Sequence, residues 1–303
     1  MKFENSLEDK VTIVGDTSMF HLGSRCNYTE FRKLVNNKYK IIQEIPYDAF
    51  GTDFIAFDGF FKKIKKTKWW DNLCKSNLII VHGEGLTEKC EDYVYPYLYF
   101  SKIGGILGIK SHLVNFSMYE AEPFIDLLEN FSYMACRDIL THEHLRDLGF
   151  DPELSFDCCV LGVNLERKIE HDGSVALIKG RHSFDERLAR KFGAPIRYNC
   201  CWTWEKEAIS LPSIKDYVDC ISNSQVTLST SFHGNILSFL SGIPFISIDR
   251  SNKKYQALDI ELLPKNKTEI LRNPRKADNR KVIQVHYNNI INKLRERAIL
   301  NCI

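Results

Sequence analysis

Nowhere in this chain does an apolar run approach the length that crosses a bilayer, so no membrane-spanning helix is expected. The opening stretch Met1 to Lys10 lacks the apolar core of a secretion signal, and the chain is expected in the cytoplasm. Excess charge is also lacking. The 41 Lys and Arg against 39 Asp and Glu leave a formal +2, too little for the basic face that a nucleic-acid partner requires. No internal repeat or low-complexity tract breaks the chain. No His, Cys or carboxylate cluster has the spacing of a metal site, so neither metal nor cofactor is expected. Thr141 to His144 holds two histidines only two positions apart, which does not put both on one helical face, and reads as surface helix.

Cysteine, by contrast, is plentiful at ten, but a chain of 303 residues without a secretion signal needs no disulfide staples. Cys158 with Cys159 and Cys200 with Cys201 are adjacent pairs, whereas zinc ligands are normally two to four residues apart. They read as reduced, buried thiols. A content of 44% hydrophobic and 26% charged residues is that of a globular protein with room for two domains.

Short β-favouring runs alternate with helix-length segments from end to end. Val11–Val14, Tyr39–Ile45, Leu78–Val81, His112–Phe116 and Tyr133–Cys136 are expected strands of a first half. Ser174–Ile178, Ile196–Asn199, Gln225–Leu228 and Phe245–Ile248 repeat the pattern in a second. Parallel strands need crossover connections, so the alternation predicts an α/β protein with two Rossmann-like parallel-sheet domains facing a cleft. Polar residues 162–173 are the expected linker, giving domains of 1–165 and 166–303, with a closing helix over Asn279–Leu300. Ser183 to Glu186 and Ser213 to Asp216 have the pattern of capping boxes. Phe60 to Trp70 mixes lysines with aromatic rings. It could rest on anionic lipid, and is read first as a solvated helix that buries its tryptophans.

The most informative segment is Gln225 to Ile248, which predicts strand, tight turn, helix and strand, with Ser231 as helix cap and His233 in the first helical turn. A strand feeding a helix N-terminus presents backbone N–H groups and a positive dipole end, which suits an anion. His233 beside that anion could donate a hydrogen bond or exchange a proton.

Ser231-Phe232-His233-Gly234, followed by an apolar helix and Gly242 to Ile246, resembles the C-terminal signature of the polysaccharide pyruvyl transferase family. Gly15 to Ser18 with Leu22 to Arg25 is similar to that family's opening loop. Val81 to Gly85 resembles its asparagine-glycine-glutamate-glycine strand end. Cys136-Arg137-Asp138, with Leu145, Gly149 and Asp157 downstream, resembles its arginine-aspartate stretch. Single short motifs are weak evidence; here four occur in order. Many relatives carry an arginine just before the equivalent of Phe232 and a histidine shortly after the glutamate motif, where this chain has Ser231 and Leu86 to Lys89.

The resemblance implies a GT-B-like architecture and transfer of the pyruvyl group of phosphoenolpyruvate onto two hydroxyls of a cell-surface or exopolysaccharide sugar. Its partners would then be phosphoenolpyruvate, as donor substrate and not as cofactor, and a glycan acceptor, for which a lipid-linked form would bring peripheral membrane contact. The first domain would be the acceptor side and the second the donor side. A GT-B glycosyltransferase using a nucleotide sugar, and a non-catalytic glycan-binding or scaffold protein, are the competing readings. His233, Arg137 and Glu84 are the catalytic candidates. Arg137, at the end of a strand, could grip a carboxylate or phosphate, or else pair with Asp138 or Asp157. Glu84 offers a carboxylate to a sugar hydroxyl, with Gly83 and Gly85 allowing close approach. Asp16, His21 and Arg25 are candidates for acceptor recognition, Lys179 and Arg181 for holding the donor anion, and Ser231 and Gly234 for binding substrate at the helix start.

Overall fold

A computed structural model describes residues 9–15, 22–50, 56–83, 92–162, 172–179, 196–200, 214–241, 243, 245–247 and 296. The chain divides into two compact units. Tyr28–Cys158 makes up most of the first and Cys159–Glu296 most of the second, while Met19–Asn27 clusters with the second.

In the first unit, β1 (Lys10–Gly15), β2 (Lys40–Pro46), β3 (Leu78–His82), β4 (Lys110–Phe116), β5 (Tyr133–Cys136) and β6 (Glu153–Leu154) form a parallel sheet in the order β2-β1-β3-β4-β5-β6. The runs Val11 to Val14 in β1 and Leu78 to Val81 in β3 are buried on both faces and apolar but for Thr12, whose hydroxyl lies 2.7 Å from Ser76 Oγ. The two-residue β6 is too short to carry a sequence signal. Helices α1 (Leu22–Asn36), α2 (Phe57–Ile64), α3 (Trp70–Leu73), α4 (Tyr95–Leu107), α5 (Ile125–Leu128) and α6 (Ile139–Asp147) supply the crossovers among the described residues. Phe60 and Ile64, four apart on α2, are the inward stripe, and Phe60 meets Phe50 with ring centroids 4.8 Å apart. Trp69 and Trp70 are half-buried against the same core, and the Lys65 ammonium sits 5.1 Å from the Phe61 ring centroid and 5.6 Å from that of Trp70. This segment is thus a core-packed helix and turn with lysines outside.

The second unit holds β7 (Val175–Lys179), β8 (Ile196–Cys200), β9 (Val226–Ser229) and β10 (Phe245–Ser247), parallel in the order β10-β9-β7-β8. Among its described helices, α7 (Ile214–Asn223) precedes β9 and α8 (Phe232–Leu240) follows it. The expected helix over Asn279–Leu300, the capping box at Ser183 to Glu186 and most of the linker lie outside the described residues. No helix among the described residues is long and apolar enough to cross a membrane.

Both sheets reverse direction once. In the first, chain order runs outward from β1 to β2 and then resumes on the other side of β1 with β3; in the second, β8 and β9 flank β7 in the same way. Each reversal leaves a crevice beyond the carboxyl ends of two adjacent strands, where open α/β sheets hold their ligands. Gly15 and His82 end the strands at the first reversal, Lys179 and Ser229 at the second.

Candidate functional site

At the first reversal a buried polar network closes the sheet. His82 is 1% exposed, its ring 4.4 Å from that of Phe31 and 5.6 Å, edge-on, from that of Tyr28. Its Nε2 lies 2.9 Å from Asn115 Nδ2, and Asn115 Oδ1 accepts from the Cys158 backbone N–H at 3.3 Å. An amide oxygen turned to a backbone donor leaves the amide nitrogen facing the imidazole. His82 Nε2 is therefore the acceptor and its proton sits on Nδ1. Burial pushes His82 down to about 3; the Asp157 carboxylate opposes that shift and the Arg137 cation adds to it, so the ring is neutral at physiological pH. Asn115 has φ +53°, a conformation asparagine tolerates better than other side-chain-bearing residues, and sits where the β4–β5 register slips between Val114 and Phe116. That bulge turns its amide into the network.

Arg137 follows β5 and is also buried. Its Nε donates to Ser117 Oγ at 2.9 Å and its Nη1 to Asp157 Oδ2 at 2.8 Å, in an ion pair whose side chains are 1% and 2% exposed. Of the two roles the sequence offers Arg137, the structure displays the ion pair, and Asp157 is the partner. Asp138 instead caps α6, accepting from the Thr141 N–H and hydroxyl at 2.8 and 2.9 Å. Gly83 is buried and donates its N–H to the Val114 carbonyl at 2.9 Å. Glu84, Gly85, Asp16 and His21 lie outside the described residues.

At the second reversal, the Thr230 N–H continues the ladder to the Ile178 carbonyl at 3.0 Å and the chain turns directly into α8. Ser229 Oγ accepts from the Ser231 N–H and donates to the Ser231 carbonyl, both at 2.9 Å. Ser231, with extended φ and ψ of −103° and 133°, accepts from the Gly234 N–H at 3.3 Å, which makes it the helix cap. Two serines thus fix the helix start, and His233 occupies the first turn, 4% exposed and edge-on to Phe232 with ring centroids 5.4 Å apart. Gly234 is packed so closely that a Cβ there would lie 2.7 Å from Ile178 Cγ2. Lys179 ends β7 with its backbone paired to Cys200; its side chain and all of Arg181 lie outside the described residues. Arg25 is half-buried on α1, in the part of that helix that clusters with the second unit.

The sequence reading brings Ser231, His233 and Gly234 to one place, and the structure joins Arg137 to Asp157. It did not single out His82, Asn115 or Ser117. A histidine closing an all-apolar strand and an asparagine inside another were the available signals, since polar groups buried in a parallel sheet need partners. Among the described residues no group of three or more His, Cys, Asp or Glu is placed to hold a metal ion, and Cys26, Cys136, Cys158, Cys159 and Cys220 are buried.

The fold has solved counterparts. UDP-GlcNAc 2-epimerase from Neisseria meningitidis bound to UDP-GlcNAc matches with a TM-score of 0.57 over 97% of each chain at 12% identity. The S. aureus MnaA–UDP co-structure matches with 0.55 over 97% of this chain and 91% of that one at 10% identity. UGT71G1 from Medicago truncatula complexed with UDP-glucose matches with 0.54 over 97% of each at 10% identity. At such identities the likeness is one of fold, and the fold is GT-B-like. Comparison with curated proteins finds no match. The family model described as polysaccharide pyruvyl transferase matches residues 20–252, which take in every described strand but β1 and all four sequence motifs but for the first residues of the opening loop, and the chain belongs to that family.

Proposed function

We propose that this protein transfers the pyruvyl group of phosphoenolpyruvate to two hydroxyls of a glycan sugar, forming a ketal and releasing phosphate. The family membership supports the reaction class, and the observation that carries the site is the serine-fixed α8 N-terminus with His233 in its first turn at the β7–β9 reversal. The second unit is assigned to the donor, and the first, together with the Met19–Asn27 segment that clusters with the second, to the acceptor.

The chemistry balances as follows. A proton adds to the methylene carbon of phosphoenolpyruvate, and the first hydroxyl forms a bond to the adjacent carbon while losing its proton. The carbon–oxygen bond to phosphate then breaks, and the second hydroxyl bonds to the same carbon, its proton leaving with the phosphate. One hydroxyl proton is thus balanced by the new methyl group and the other by the phosphate. His233 is assigned to proton transfer, and the α8 N–H groups and dipole, with Lys179 and Arg181, to holding the carboxylate and phosphate. Glu84 is assigned to the attacking hydroxyl, and Asp16, His21 and Arg25, with Gly83 and Gly85, to acceptor recognition. Arg137, whose guanidinium is engaged by Ser117 and Asp157, is assigned to holding the β5 end in place.

The test is the reaction run in heavy water with a glycan acceptor. Solvent deuterium in the ketal methyl group, with phosphate released in equal amount, is the expected result. A product carrying sugar from a UDP-sugar, and none from phosphoenolpyruvate, would replace this reading with glycosyl transfer, the activity class that the UDP-glucose complex in the same fold brings into view.

A further inference from the structure

We propose that Gly23 is a positioning residue for His233: the bare Cα in the first turn of α1 sets where the imidazole stands. The inference rests on the reading of His233 as the proton-transfer group, and it concerns a residue to which that reading gives no task.

Gly23 is the second residue of a 15-residue helix, and its surroundings leave no room for a side chain. A Cβ built on Gly23 would fall directly against His233 Cβ and lie 2.5 Å from His233 Cγ and 2.6 Å from His233 Nδ1, closer than real Cβ atoms approach any neighbour. His233 Cβ and the near edge of its ring therefore stand in the volume that any other residue at position 23 would fill. The surroundings are firm. Ser24, Cys26 and Asn27 are 6%, 3% and 0% exposed, so the first turns of α1 form a buried wall. On the other side, the α8 backbone is fixed by the Ser229 and Ser231 hydroxyls and by Gly234 packed on Ile178. His233 Cβ is fixed by the α8 backbone and cannot rotate away, so a methyl group at position 23 displaces the His233 side chain by shifting the helix starts that carry it. Gly105 of α4 is the contrasting helical glycine. Nothing lies within 4 Å of a Cβ built there, and its replacement by alanine touches no partner.

The two readings of Gly23, a setter of the ring or mere packing, separate in a double-mutant cycle on the phosphate-releasing reaction. Gly23→Ala is expected to lower kcat by about 10²-fold, the scale of an ~1 Å misplacement of a reacting group, with KM little changed. Gly105→Ala is expected to leave both unchanged. In a His233→Gly background, which removes Cβ as well as the ring, adding Gly23→Ala should lower kcat no further, because the side chain through which it acts is gone. A kcat unaffected by Gly23→Ala, or an equal loss with and without the imidazole, overturns the inference. Should Gly23→Ala fail to fold, Gly23→Ala with His233→Gly removes the obstructing side chain. Recovery of a folded protein then supports the contact as the cause, and continued failure overturns it. If His233→Ala leaves kcat intact, the proton-transfer reading falls on its own. Ring placement is then judged from the His233 imidazole proton resonances, which Gly23→Ala must shift for the inference to survive.

Discussion

His82 carries the clearest consequence of residue-level chemistry. Its folded-state value of about 3 lies below the ordinary 6.5, so as pH falls the unfolded chain takes up this proton first. The stability it contributes is intact above about pH 6.5 and is lost progressively down to about pH 3, at up to ~1.4 kcal/mol per pH unit. His112, pushed down to about 4 by burial and then by Lys110, adds in the same direction over a narrower window. Urea midpoints measured between pH 7 and 4 should fall, and His82→Asn should flatten the fall. An unchanged slope in that variant would remove His82 from the account. The Arg137–Asp157 pair behaves differently. Removing either partner strands a buried charge, so Arg137→Ala and Asp157→Ala should each cost about 3–5 kcal/mol, and Arg137→Met with Asp157→Leu much less than their sum. Denaturant melts of the three variants check this. Arg137 and Asp157 were legible in the sequence as possible partners. The bonds of Asn115 to His82 and to Cys158, and the approach of Gly23 to His233, join positions 33, 43 and 210 residues apart and leave no local pattern to read.

Elements were more legible than contacts because each reflects a period or a punctuation mark in the chain. The expected strand Tyr133–Cys136 coincides with β5, and the other main strands differ by a residue or two at their ends. The β4 bulge escaped notice because Asn115 in an apolar run looks like an ordinary interior position until its φ is known. The α8 start was legible because a capping serine before an apolar run has a mechanism behind it. Ser231→Ala should therefore cost about 1 kcal/mol of stability, seen as a lower thermal midpoint. It should also reduce turnover by loosening the helix end that carries His233. A variant with the lower midpoint and full turnover would separate the cap from the site.

For the whole molecule, alternating apolar runs and helix-length segments were enough to read an α/β protein with two parallel sheets, since crossover connections force that topology. The clustering of Met19–Asn27 with the second unit was not legible, because nothing in a helix sequence says which body its first turn packs on. The central claim is the identity of the donor. A ligand that binds only the folded state raises stability by RT ln(1 + [L]/Kd), about 2.7 kcal/mol at a hundredfold excess over Kd. The most direct measurement is the thermal midpoint of the intact protein with saturating phosphoenolpyruvate, set beside UDP-GlcNAc and UDP-glucose. The account predicts a rise of several degrees with phosphoenolpyruvate and none with the UDP-sugars. A rise with a UDP-sugar and none with phosphoenolpyruvate would contradict it.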